Sequence, residues 1–329
     1  MQLQIVADVS QVAEMRRAVT DLAANLGFDE TAKGRAALVA TELATNLLKH
    51  GGGGEALIGP YEDATGFGVQ IIALDKGSGF EDLGAALKDG YSTAGTAGHG
   101  LGSIRRQSQV CEIVTWPALG SAVLARVAKD PSHEREERHP AWGGIMVPYP
   151  GESVCGDSFV VMDSAAGLTM LVADGLGHGP EAATAAQEAA RLFRACIHQS
   201  VPQLLESIHL GLRATRGAAI AVARFSNAST VTFGGIGNIA GAVIENQQMR
   251  RMVSLNGTAG HNARKIQTFD YHCNDGIVVL ASDGLGTHWS MDRYPGLTAA
   301  HPSLAAAVLY RDHSRRRDDT CVVVARRMH

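Results

Sequence analysis

The sequence predicts an α+β chain of two domains, and three observations carry that reading. Its 329 residues exceed one ordinary domain and suit two. Helical and strand periodicities interleave from end to end, with no internal repeat and no low-complexity tract. One stretch, KDPSHEREERHPA at 129–141, is dense in charge, bracketed by Pro131 and Pro140, and holds almost nothing to bury. It is read as an exposed linker between a domain at 1–128 and a domain at 142–329. A solvated helix on the surface of one domain is the other reading of the same stretch.

The elements follow in order. Val12, Met15, Val19, Leu22 and Leu26 recur at helical spacing, which predicts a helix over 10–27 with Ser10 as N-cap. A second helix covers 31–49 and stops at the run Gly51–Gly54. Strands are expected near 55–59, 67–75, 110–116 and 121–128, with a glycine-rich stretch at 90–102 and a short helix from Leu101 to Gln107. After the linker, strands are expected near 143–148, 157–163 and 168–174, then helices over 178–200 and 203–215. Short strands follow at 218–225, 229–234, 239–245 and 249–254. VVLASDG at 278–284 is a buried strand ending on an acidic turn, and a helix at 302–314 precedes a last strand at 321–327.

Composition narrows the function. A hydrophobic fraction of 45% is enough for real cores. The net charge of −4 gives no global electrostatic case for nucleic acid or an acidic membrane surface. The five cysteines form no Cys-x-x-Cys pair, which argues against zinc and against a disulfide framework. Free thiols fit a reducing compartment, no apolar run approaches a membrane span, and the N-terminus is no signal peptide. A cytoplasmic location is therefore expected.

In the second half, three apolar strands each run into an aspartate, Asp157, Asp174 and Asp283, and the pair Asp318-Asp319 stands before the last strand. Taken singly, an Asp-Gly pair is a turn signal. Four acidic positions in order, each tied to an apolar strand, instead point to carboxylates gathered on one edge. Such an edge is self-repelling unless a hard divalent cation such as Mg²⁺ or Mn²⁺ sits in it. Glycines after Asp174 and Asp283 let the backbone turn tightly. Two such ions about 3.5–4 Å apart activate a bridging water and clamp a phosphoryl group without a protein nucleophile.

The segments G156-D157-x-F159, ADGLGHG (173–179), GGIGN (234–238), SDG (282–284) and DDTCVVV (318–324) resemble the metal-dependent protein phosphatases, in the branch of the bacterial sporulation and stress-response enzymes. The resemblance spans nearly all of 143–329 and implies an α-β-β-α sandwich. By motif, Asp174 would bridge two metals, Gly175 would offer its carbonyl, and Asp157, Asp283 and Asp318 would complete the cluster. Asp319 stands open as the alternative to Asp318, because the usual serine or threonine of this motif falls on Cys321. His178 would donate to phosphate or cap the following helix. No N-terminal arginine motif of the eukaryotic relatives is found.

In the first half, Glu42 and Asn46 share one helix face and Lys49 follows a turn later. ALDKGSGF places Asp75, Gly77 and Gly79 after a strand, and STAGTAGHGLGS leads glycines into a helix, an arrangement suited to phosphates. It is not a P-loop, and it comes too late for a Rossmann first turn. Together TELATNLLKHG (41–51), DKGSG (75–79) and GHGLGSIRR (98–106) resemble the histidine-kinase-like ATPases, specifically the anti-sigma-factor serine kinases, over most of 1–128. The resemblance implies an α/β sandwich binding ATP with Mg²⁺. Asn46 would hold the Mg²⁺, and Asp75 would accept from the adenine amino group. Gly77 and Gly79 would admit the base, and Gly98, Gly100, Leu101 and Gly102 would wrap the phosphates. Lys49 would offset charge, and Glu42 would be the general base.

The expectation is a bacterial serine/threonine phosphatase acting on a phosphorylated STAS-type anti-sigma antagonist in partner switching. Its fused ATP-binding domain would be a kinase or a regulator. Both families imply self-association, so a homodimer is open, and neither nucleic acid nor membrane is an expected partner. The alternative is a non-catalytic, ATP-sensing binding module.

Overall fold

A computed structural model describes residues 1–63, 66–80, 100–130, 141–226 and 229–327. The chain divides into two compact units, Met1–Pro140 and Ala141–His329. Most of the charged stretch at 129–141 lies outside the described residues.

The first unit contains β1 (Gln2–Val6), α1 (Val9–Asn25), α2 (Glu30–Gly51), β2 (Gly54–Asp63), β3 (Gly66–Leu74), α3 (Gly100–Gln107), β4 (Val110–Trp116) and β5 (Gly120–Ala128). The strands form one antiparallel sheet in the order β1-β2-β3-β5-β4. Alternate residues of the sheet, among them Ile58, Ile71 and Val123, pack against Met15 and Val19 of α1, Leu43 and Leu47 of α2 and Ile104 of α3. The helix starts are written in side-chain chemistry. Asp8 accepts from the backbone N–H of Ser10 (2.8 Å) and Gln11 accepts from that of Asp8 (3.0 Å), a capping box. Ser10, expected as the cap, is thus the second helical residue. The carboxylate of Asp29 caps α2 through the Ala32 N–H (2.7 Å). The edge strand β1 was not anticipated. Its short run QLQIV lacks a clean polar alternation, and only its register with β2, Leu3 opposite Leu57, makes it a strand.

The second unit contains β6 (Trp142–Val147), β7 (Asp157–Met162), β8 (Thr169–Gly175), α4 (Pro180–Ala195), α5 (Val201–Gly211), a 3₁₀ turn (Leu212–Ala214), β9 (Ala218–Ser226), β10 (Thr230–Ile236), β11 (Ala240–Glu245), β12 (Gln248–Met252), β13 (Thr268–His272), β14 (Ile277–Ala281), α6 (Pro302–His313) and β15 (Thr320–Arg326). Two antiparallel five-stranded sheets result, in the orders β13-β10-β9-β8-β7 and β12-β11-β14-β15-β6. Met170, Val172 and Phe233 of one sheet meet Val243, Leu280 and Val323 of the other in the layer between them. On the outer face of the first, Leu171, Ile220 and Val222 pack against Ala186, Ala189 and Phe193 of α4 and Leu204, Leu205 and Ile208 of α5. Helix α6 covers β6 and β15 of the second. This is the expected α-β-β-α sandwich. The 178–200 helix is shorter than expected, ending at Ala195 with Cys196 as its C-cap. Strand β13 was also missed, because Thr268–His272 is polar and pairs on one side only, with β10.

Candidate functional site

The antiparallel register assembles the acidic edge. Asp157 opens β7 instead of closing a strand, and it pairs directly with Asp174 near the end of β8. In the facing sheet, the end of β14 adjoins the start of β15, with Ala281 opposite Val322. The turn after β14 therefore brings Asp283 to the same edge as Asp318 and Asp319. A hydrogen bond ties the two sheets at this point. Ser282 Oγ donates to Asp157 Oδ2 (2.6 Å) while accepting from the Cys321 N–H (2.9 Å). Asn238 Nδ2 donates to Asp283 Oδ2 (2.7 Å), orienting that carboxylate from the β10–β11 turn.

Close packing demands the glycines here. A Cβ on Gly175 would collide with the Ala182 carbonyl of α4, and one on Gly284 with the Asp319 carbonyl. A Cβ on Gly156 would stand 2.7 Å from Asp319 Oδ2. Asp319 is 3% exposed; its Oδ1 accepts from the Tyr149 N–H (2.8 Å), and its buried Oδ2 has no hydrogen-bond partner among the described residues. Asp318 is more open, and its Oδ1 accepts from the Asp319 N–H (3.0 Å).

The charges strain against one another. Burial, then Asp174, pushes the Asp157 carboxyl well above its ordinary range. Burial, then Asp283, Asp318 and Asp319, pushes Asp174 up to about 7. Asp318 rises for the same reasons, burial first and Asp283 next. A divalent cation at this edge would relieve the repulsion, and the orphaned Asp319 oxygen is an acceptor such an ion could use. No three described His, Cys, Asp or Glu side chains close on a single point as a finished cage. Mg²⁺ keeps several of its waters and takes few carboxylates, so an open edge of oxygens suits it. The residues fit such an ion.

His178 does not cap α4. The N-cap is Gly179, with no side-chain bond, and Pro180 opens the helix. The His178 ring instead stacks on Tyr149 (4.5 Å between centroids, 14° between planes), with Nδ1 at 3.1 Å from Glu152 Oε1.

In the first unit, Glu42 and Asn46 lie one turn apart on α2, and the start of α3 rests on them. A Cβ on Gly100 would come 3.0 Å from Glu42 Oε2 and 3.5 Å from Asn46 Oδ1. Asn46 Nδ2 is buried without a partner among the described residues. Asp75 follows β3 and is fixed through Oδ1 by the N–H groups of Gly77 (2.8 Å) and Ser121 (3.2 Å). Gly79 has φ +76°, a conformation that glycine adopts freely, and it lies against Thr115 Oγ1 and the Trp116 carbonyl. Leu101 and Gly102 follow Gly100 in α3. Lys49 is exposed at the end of α2, and Gly98 lies outside the described residues. Ser282, Asn238, Ser121 and Thr115 were given no role from the sequence. Asn238 and Ser282 stood inside quoted motifs, whereas Ser121 and Thr115 carried no spacing signal.

A family model described as the histidine kinase-like ATPase domain matches residues 5–126. The serine/threonine-protein kinase RsbT of Bacillus subtilis is 33% identical over 95 residues, 29% of this chain and 71% of RsbT. A solved structure from work on the bacterial stressosome, described as a modular system adapted to control secondary messenger signaling, is 26% identical. It covers 56% of this chain and 98% of its own at a TM-score of 0.52. The structure of RsbX with magnesium is 19% identical, covering 56% of this chain and 94% of its own, with a TM-score of 0.49. The chain joins an ATPase-type domain to a second domain built as an α-β-β-α sandwich. Through its first domain it belongs to the histidine kinase-like ATPase family.

Proposed function

We propose that this protein is a metal-dependent serine/threonine phosphatase whose substrate is a phosphorylated regulatory protein of STAS type, with an ATP-binding, serine-kinase-like domain on the same chain. The observation that carries the reading is the carboxylate edge. Asp157, Asp174, Asp283 and Asp318 or Asp319 share one end of a rigid sandwich, and burial first, then their mutual repulsion, raises the carboxyls of Asp157, Asp174 and Asp318. That arrangement is costly for folding and useful for cations. Asp157, Asp174, Asp283, Asp318 and the Gly175 carbonyl would hold Mn²⁺ or Mg²⁺. When bound, such ions supply an activated water and a clamp for the phosphoryl oxygens. The protein's own part is positioning. Ser282 orients Asp157, Asn238 orients Asp283, and the Tyr149 N–H orients Asp319.

In the first domain, Asn46 would hold the Mg²⁺ of ATP, and its unpartnered amide supports a polar ligand there. Asp75, fixed by two backbone N–H groups, would read the adenine; Gly77 and Gly79 would leave room for the ring. Glu42 lies beside Asn46 and Gly100, close enough to phosphates at the α3 start to serve as general base toward a serine hydroxyl. Lys49 and the residues Gly98 to Gly102 would complete the phosphate contacts. RsbT is named a serine/threonine kinase, which favours transfer over mere sensing. No helix among the described residues is long and apolar enough to cross a membrane. The five free cysteines support a reducing, cytoplasmic setting.

The test uses the full chain with a phosphoserine peptide and a phosphorylated STAS protein, in Mn²⁺ and in EDTA. Metal-dependent release of phosphate is expected. Absence of turnover on both substrates would leave a binding module. In parallel, labelled ATP with unphosphorylated STAS protein should yield transfer that Glu42→Ala abolishes. ATP binding without transfer would make the first domain a gate.

A further inference from the structure

Three arginines lie in the loops that flank the acidic edge, from both sheets. Asp318 and Asp319 are preceded by the run Arg315-Arg316-Arg317. The turn that carries this run is held firmly. The Arg315 N–H donates to the Gly284 carbonyl (2.9 Å), Gly286 N–H donates to the His313 carbonyl (2.8 Å), and Leu285 bridges to Ser314. Its central residue is structural. Arg316 has φ +57°, stacks its guanidinium over the Tyr310 ring (4.4 Å) and donates from Nη1 to the Tyr310 hydroxyl (3.0 Å). A non-glycine residue in the left-handed region needs such support. Arg315 and Arg317, on either side, are exposed, and neither makes a side-chain ion pair or hydrogen bond among the described residues. They stand on the turn that carries Asp318, which is hydrogen-bonded to the turn that carries Asp283.

Arg216 completes the group from the other sheet. The Leu176 N–H donates to the Gly217 carbonyl (3.1 Å), which extends the β8–β9 ladder past Asp174 and sets Arg216 opposite Gly177. Its guanidinium pairs with Glu181 in the first turn of α4, and both side chains are largely exposed. Such an exposed pair is weak and yields readily to a stronger anion.

Charge decides what these cations are for. Five carboxylates meet at this edge, and two divalent cations leave it one charge short of neutral. A phosphoserine adds a charge of about −1.5 to −2. Capture of that anion needs positive charge at the mouth, and arginine is the side chain suited to forked phosphate and carboxylate contacts. We propose that Arg315 and Arg317, with Arg216, form a cationic collar that selects phosphoprotein segments in which the phosphoserine is flanked by acidic residues. The inference rests on the phosphatase reading and names its substrate class. The collar steers and holds the segment; the carboxylate edge does the chemistry.

Two phosphoserine peptides of equal length, one with aspartates flanking the phosphoserine and one with neutral flanks, test it on the full chain. Dissociation constants are read by fluorescence anisotropy in the Asp174→Asn background with Mn²⁺, and KM and kcat in the otherwise intact chain. The unaltered collar is expected to favour the acidic peptide by roughly tenfold in Kd and KM, with the preference shrinking as salt rises. Arg315→Glu/Arg317→Glu should abolish or invert that preference, mainly in Kd and KM. Arg315→Gln/Arg317→Gln should remove it with thermal stability unchanged. Equal Kd for the two peptides in the unaltered collar, or a preference that survives both double variants, overturns the collar while metal-dependent turnover stands. No hydrolysis of either peptide by the intact chain removes the phosphatase reading and the collar with it.

Discussion

The two candidate sites of this chain are built on opposite plans. The site of the second domain stands on strand ends. Antiparallel neighbours put Asp157 beside Asp174, the next sheet adds Asp283, Asp318 and Asp319, and Ser282 bolts the sheets together at 2.6 Å. The site of the first domain stands on one face of α2 and on the turn after β3, with the start of α3 laid across Glu42 and Asn46. Like charges crowd in the first case, whereas in the second a buried amide has no partner among the described residues. The comparison teaches what each site waits for. A repelling carboxylate edge requires cations before it is stable in its charged form. An unpartnered amide beside glycine backbone requires only a polar ligand and can stay formed without one.

The largest effect should come from exchanging one key residue at each site. Asp174→Asn removes the carboxylate placed between Asp157 and Asp283. A metal clamp is worth several kcal/mol, so phosphatase turnover should drop by roughly 100-fold or more while ATP affinity is unchanged. Asn46→Ala should weaken ATP binding by about 10–100-fold, by analogy with lost metal-site support, and spare phosphopeptide turnover. Calorimetric ATP titration and phosphate release on both variants check this. Turnover that changes in Asn46→Ala would break the comparison, because the two plans would then be energetically linked.

A smaller effect concerns pH. Asp174 stands at about 7 in the folded protein against an ordinary 3.8, so the folded metal-free state holds a proton that the unfolded chain has released. For a carboxyl raised in this way, the contribution to stability is full below the unfolded value and is lost as pH climbs to the folded one. In EDTA, the melting temperature of the second domain's transition should therefore fall between about pH 4 and pH 7. With Mn²⁺ the fall should be reversed, and the gap between metal-loaded and metal-free melts should widen with pH. A gap that stays constant across that range would show that the carboxylates do not carry the proton.

The smallest effect separates buried from exposed positioning. Ser282→Ala leaves both the Asp157 carboxylate and the Cys321 N–H without a buried partner, and should cost about 1–3 kcal/mol in the metal-free protein. Asn238→Ala removes an exposed contact to Asp283 and should cost about 0.5 kcal/mol or less. Denaturant unfolding of the two variants in EDTA checks the order, and equal losses would mean that the bond between the sheets is not what holds the edge.

Much of this was open to reading in the sequence, for a definable reason. The periodicity of α1, α2 and the apolar strands follows from which face must be buried, and that is a local property of the chain. The order of Asp157, Asp174, Asp283 and Asp318-Asp319, each next to an apolar run and most followed by a small residue, marked the acidic edge before any geometry. Glu42 and Asn46, four apart on a helix, marked one polar face of α2 in the same way. Polar or short edge strands were not legible. Gln2–Val6 and Thr268–His272 are strands only because β2 and β10 offer them a ladder. Nor was the N-cap, since Asp8 and Ser10 are both good caps and only the hydrogen bond to the Ser10 N–H chooses between them. The sequence by itself determined which residues carry charge and which segments are buried. Tertiary structure alone decided that Ser282 meets Asp157 across 125 residues, that Asp319 keeps a buried oxygen with no partner among the described residues, and that Arg315 and Arg317 are exposed while Arg316 folds onto Tyr310. Those are distance-dependent interactions between residues remote along the chain, and no local pattern encodes them.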